Sequence, residues 1–138
     1  MKKIKVRILS GSLLVLFSLL LMSFVQEKKP WDVPAKYQSM KNPQAADDAS
    51  MVKLGKMMYS KHCKSCHGNF GQGDGPKARS FDADLGDFTS AEFKAQKDGV
   101  KYYQSFVGRD DMPNFEKKIT DEEERWAIIT YMSTLKKK

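Results

Sequence analysis

Five consecutive residues, Cys63-Lys64-Ser65-Cys66-His67, carry the clearest chemistry in this sequence. Two thiols separated by two residues and followed at once by an imidazole form the C-x-x-C-H pattern of covalent haem attachment. Each thiol can add to one of two vinyl groups on the same porphyrin edge, and both must reach it from one backbone turn. The adjacent His67 then falls under the ring and offers a nitrogen to the iron. Two other uses of such cysteines compete with this one. A thioredoxin-type redox pair needs a preceding strand in a βαβ unit, and the upstream pattern here is helical. A zinc site needs more cysteine or histidine ligands, and only His62 remains to supply one.

A second iron ligand has to come from elsewhere in the chain. Met112 stands between Gly108 and the last predicted helix, directly before Pro113, so it belongs to a loop that can present a side chain to a ring face. Met51, Met57, Met58 and Met132 fall within predicted helices, where methionine usually fills core space. His62 adjoins the attachment turn and is poorly placed to reach the opposite face. The expected axial pair is therefore His67 and Met112. A thioether is soft and neutral; it favours ferrous iron and raises the reduction potential.

These residues need helices to position them. The first should begin at Asp47 or Asp48, either of which can cap it. Met51, Leu54, Met58 and Tyr59 recur at helical spacing and form an apolar stripe running straight into Cys63. Gly55 lies in that stripe; it costs roughly 1 kcal/mol of helix propensity, which makes sense if another helix crosses closely there. The run GNFGQGDG from Gly68 to Gly75 is a tightly wound loop. A shorter helix is expected around Gly99 to Val107, stopped by Gly108. For the last helix, Thr120 and Glu123 form a capping box, and Asp121, Glu122 and Glu124 suit its positive end. Ile128, Tyr131, Met132 and Leu135 make one stripe, with Trp126 and Ile129 off it, so both sides of this helix should be covered. No internal repeat and no strand signal is present.

The chain has 138 residues, enough for one folded domain. Residues 1–25 hold Lys2, Lys3, Lys5 and Arg7 and no acid, and an apolar run begins at Ile8. This is an export segment, either a cleaved signal peptide or an uncleaved membrane anchor. The apolar run of residues 8–25 is at the lower limit for spanning a bilayer, about 18 residues, and no A-x-A-like site follows it. The lysines would keep the N-terminus in the cytoplasm and place the rest on the periplasmic side of the cytoplasmic membrane. Residues 26–47 carry Pro30, Pro34 and Pro43 and read as an extended linker; residues 48–138 form the domain. Of the 24 basic residues four lie in the leader, whereas all 17 acids follow it, so the remainder is close to neutral. That balance, without basic clusters interleaved by aromatics, excludes nucleic acid as partner.

From about Asp48 to Leu135 the sequence resembles a class I monohaem cytochrome c. Gly55 and Tyr59 match the Gly-x-x-x-aromatic of that family's N-terminal helix, and Ile128 with Tyr131 matches the contact pair of its C-terminal helix. Cys63, Cys66 and His67 match the haem motif, Met112-Pro113 matches the distal ligand segment, and CHGNFGQGDGP is similar to bacterial members. The resemblance implies an all-α fold whose N- and C-terminal helices cross around one covalent haem c. It implies one-electron transfer between redox protein partners of a membrane-linked respiratory chain, by a carrier rather than an enzyme. It also implies that the Pro76 carbonyl accepts a hydrogen bond from the other nitrogen of His67. Two alternatives stay open: a haem domain or subunit of a larger oxidoreductase, and a ligand-binding or peroxidase-type haem protein.

Overall fold

A computed structural model describes residues 30–137. The leader of residues 1–25 lies outside the described residues, as does the linker up to residue 29. The structure divides at Trp31, and Asp32–Lys138 forms one compact unit. Its elements are helices: α1 (Ala35–Gln38), α2 (Ala49–His62), α3 (Lys64–His67), α4 (Ala91–Ala95), α5 (Asp98–Tyr102) and α6 (Glu122–Thr134). A 3-10 turn spans Ala78–Ser80, and a π turn, Tyr103–Val107, continues α5. The described residues contain no strand, only an isolated bridge between Arg109 and Met112, so the fold is all-α as expected.

Helix α2 starts where its sequence puts it. The Asp48 carboxylate accepts from the backbone N–H groups of Ser50 (2.9 Å) and Met51 (3.2 Å), satisfying donors that the first turn leaves free. Its buried face is Met51, Gly55, Met58 and Tyr59; Leu54 is only partly buried against the core. Helix α6 is buried continuously from Trp126 to Met132, because α2 packs on one side and α5 on the other. Its cap differs from the expected capping box. Asp121, not Thr120, adopts the extended cap conformation and accepts from the N–H of Glu123 at 2.8 Å. Both residues can cap a helix, and aspartate is the stronger cap of the two.

Three further elements depart from the sequence reading. The helix expected over Gly99 to Val107 is a short α5 that widens into the π turn before Gly108 stops it at φ 71°. Helix α4 was not foreseen, although Ser90 caps it by accepting from Phe93 N–H at 3.1 Å. The segment up to Asp47, expected to be extended, contains α1 and packs on the domain from Val33 onward. Pro34 sits immediately before α1, where its fixed φ favours a helix start and its missing N–H costs nothing. The Tyr37 ring then lies 4.8 Å from Tyr103 and 6.3 Å from Tyr102.

The crossing of α2 and α6 is closest at Gly55. A Cβ there would overlap the Ala127 carbonyl and come within 2.8 Å of the Tyr131 Cβ. The partner is helix backbone and cannot swing aside. Gly55→Ala gains about 1 kcal/mol in helix propensity, but the clash forces the two helices apart at a cost typical of overpacking, about 1–3 kcal/mol or more. The clash wins. Thermal unfolding of Gly55→Ala should show a lower melting temperature than the parent; a higher one would place the crossing elsewhere.

Candidate functional site

Helix α2 ends at Cys63, whose N–H still donates to the Tyr59 carbonyl at 2.8 Å. The chain then makes one further helical turn, α3. Cys66 and His67 both donate from their backbone N–H to the Cys63 carbonyl, at 3.1 and 3.0 Å. This turn sets Cys63, Cys66 and His67 at i, i+3 and i+4, the spacing at which helical side chains share a face. The two cysteines are free and half-buried, while His67 is buried.

A turn this short leaves its last carbonyls without helical partners, and the glycine loop supplies them. Lys77 N–H donates to the Ser65 carbonyl (2.8 Å), Gly75 N–H to Cys66 (3.1 Å) and Gly73 N–H to His67 (3.0 Å). The Tyr59 hydroxyl, buried on α2, donates to the Gly68 carbonyl at 2.9 Å. Four successive carbonyls of the turn are thereby satisfied. The approach is close enough to demand glycine at 75, where a Cβ would lie 2.5 Å from the Ser65 carbonyl oxygen. The sequence identified this stretch as a loop but not its purpose.

Phe88 lies against the His67 ring, with centroids 4.7 Å apart and planes inclined by 30°, and Phe93 of α4 backs Phe88 at 4.8 Å. Phe88 is itself held by its N–H, which donates to the Gly71 carbonyl at 2.7 Å. This wall was not anticipated. An aromatic residue preceding the Ser90 cap is its only trace in the sequence, and nothing local connects it to His67.

Burial lowers the His67 pKa, opposed by a smaller upward pull from the Leu85 backbone, so the ring is neutral at neutral pH, the form that ligates a metal. The Pro76 carbonyl does not fill the role that the resemblance gave it. His67 Nδ1 is buried with no hydrogen-bond partner, and Pro76 is exposed. The reason is the path of the chain: Pro76 turns outward toward the 3-10 turn, whereas Leu85 and Gly86 pass over Gly73, whose N–H holds the His67 carbonyl.

Burial, with Cys66 adding to it, pushes the Cys63 thiol up to about 12. A redox-active dithiol needs the opposite shift. Among the described residues no three His, Cys, Asp or Glu side chains are grouped to hold a metal ion. What remains is a neutral buried imidazole with an unpartnered nitrogen, two free thiols on its own turn and an aromatic wall beside it. These residues fit a covalent haem.

Met112 comes from a different part of the chain. Its N–H donates to the Arg109 carbonyl at 2.8 Å, closing a turn through Asp110 at φ 49°. It is half-buried and stands outside the core cluster, whereas Met51, Met58 and Met132 are buried core residues and Met40 packs against that cluster. Met57 is 59% exposed on the outer side of α2. His62 lies edge-on to Phe115, with centroids 6.2 Å apart.

No curated protein matches the chain. The cytochrome c family model does, over residues 52–136, from the first turn of α2 to just past the end of α6. That span takes in the helix crossing, the Cys63–His67 turn and the Met112 loop, and the chain belongs to the cytochrome c family.

Proposed function

We propose that this cytochrome c is a one-electron carrier whose single haem c is bound through Cys63 and Cys66, with His67 and Met112 as axial ligands. The observation that carries the reading is the turn itself, which presents two thiols and a buried neutral imidazole on one face. The bound haem supplies ferric–ferrous exchange of one electron.

The protein's own residues do the rest. Cys63 and Cys66 fix the group to the end of α2. Phe88 packs against the imidazole and limits its rotation. Met51, Met58 and Met132 are buried in the core and Met57 sits exposed on the outer side of α2, whereas Met112 is the half-buried methionine carried by a loop. Were His67 and Met112 both to hold the iron, no position would be left for a substrate, which favours a carrier over an enzyme. The basic, acid-free leader supports a place on the periplasmic side of the cytoplasmic membrane, anchored through residues 8–25 or soluble after cleavage. The partners there are redox proteins of a respiratory or related chain.

Two experiments test this reading. Replacing both Cys63 and Cys66 with alanine should remove covalent haem, seen as loss of haem peroxidase stain on a denaturing gel, and with it the cooperative fold. A well-folded haem-free helical protein from that variant would overturn the attachment site.

Met112→Ala should keep covalent haem, because the attachment turn is untouched. It should abolish the weak absorption band at the red end of the ferric spectrum that the resemblance associates with methionine ligation. It should also lower the reduction potential and open the ferrous protein to carbon monoxide. Persistence of the band would assign the ligand to another methionine. A parent protein that lacks the band and binds carbon monoxide readily would favour a ligand-binding haem protein instead.

A further inference from the structure

The segment 32–47 lies ahead of the family match, which begins at residue 52, yet it is bound to the domain by four separate devices. Gly99 on α5 lacks the side chain that would strike the Tyr37 carbonyl, and a Cβ there would also come within 2.9 Å of the Met40 Cβ. The Asn42 backbone N–H donates to the Asp98 carboxylate at 3.2 Å, and its side-chain amide donates to the Thr130 hydroxyl at 2.8 Å. One residue thus joins the start of α5 to the middle of α6. Val33 is buried. The Tyr37 ring covers Tyr102 and Tyr103, the last residue of α5 and the first of the π turn.

That contact point leads toward Met112. The Tyr103 carbonyl accepts the N–H of Gly108 at 3.1 Å, the five-residue bond that defines a π turn. Gly108 in turn is pressed against the loop it begins, since a Cβ there would overlap the Met112 carbonyl and lie 2.9 Å from that of Pro113. A π turn forgoes the tighter α-helical bonding, occurs mostly as single turns, and is frequent at functional sites. Here the Tyr37 ring packs on the residue whose carbonyl closes it.

We propose that residues 32–47 are a clasp that positions the Met112 loop. Tyr37 packs on Tyr103, Tyr103 closes the π turn on Gly108, and Gly108 sets the backbone of Met112. Asn42 fixes the clasp across α5 and α6. Tyr37 is on this account a positioning residue that touches neither iron nor haem. The first part of the chain, from Tyr37 to the Met112 backbone, stands on contacts alone; the last link, from Met112 to the iron, rests on the ligand assignment above.

Tyr37→Ala and Tyr37→Phe in the full-length haem-loaded protein separate the two parts. Amide hydrogen exchange reads the first. Tyr37→Ala should speed exchange at Gly108 and Met112 about tenfold, the equilibrium weight of one lost aromatic contact, and leave the amides of Cys66 and His67 unchanged. The red-end ferric band and carbon monoxide binding read the second: the band should weaken and carbon monoxide should bind faster. Tyr37→Phe keeps the ring and should match the parent in every measurement. If Tyr37→Ala lowers the melting temperature but leaves exchange at Gly108 unaltered, the clasp is mere packing and the proposal fails. It also fails if exchange accelerates while band and carbon monoxide binding stay as in the parent. If the parent itself lacks the band, the ligand assignment falls, and Gly108 exchange still decides whether the clasp holds the loop.

Discussion

The contact between Gly55 and the Ala127 carbonyl fixes where the haem turn can be. Two helices meet there with no side chain between their backbones, so their separation and angle have almost no freedom. One turn further on, the same approach sets Tyr59 beside Tyr131, with ring centroids 5.3 Å apart, and directs the Tyr59 hydroxyl to the Gly68 carbonyl. The end of α2 and the turn that follows are thereby tied to the best-buried helix of the domain. A looser crossing would displace Tyr59, and with it the anchor of the residue that immediately follows His67.

The glycine loop solves the other half of the problem. A four-residue helix cannot satisfy its own terminal carbonyls, and a buried unpaired carbonyl costs about 1–3 kcal/mol. Folding the next ten residues back over the turn supplies three N–H donors and Tyr59 supplies a fourth. The geometry needs backbone within van der Waals contact of backbone at Gly75, and a left-handed residue at Gly68 where the turn ends, φ 82°. The glycines are therefore the means by which a short, rigid turn presents three functional side chains, not a flexible stretch beside it.

Much of this was legible in the sequence because it is written in local spacing. C-x-x-C-H, the Met51–Met58–Tyr59 stripe, the Asp48 cap and the isolated glycine in α2 each act within a few residues, so pattern and structure agree. The readings that failed depend on distant partners. Helix α1 is held by the contacts of Tyr37 with Tyr102 and Tyr103, more than sixty residues downstream, and proline content alone could not reveal that its prolines flank a helix. Leu85 and Gly86, not Pro76, come back over Gly73, whose N–H holds the His67 carbonyl. Motif position pointed to Pro76 instead, since it registers order along the chain and not the path of a loop. Phe88 escaped notice for the same reason.

That division between local and distant bonding also makes the Cys63–His67 turn and the Met112 loop unequal. Cys63, Cys66 and His67 are held mainly by backbone bonds that close within a dozen residues, so little chain entropy opposes re-forming them after a local opening. The Met112 loop has its own short turn, but its base depends on a π turn steadied by Tyr37, far away in sequence. Regions with fewer buried contacts and longer-range support open first. The Met112 loop can therefore yield while the Cys63–His67 turn stays folded, so that under the ligation proposed above an opening of the loop leaves the covalent attachment and the crossing of α2 and α6 in place.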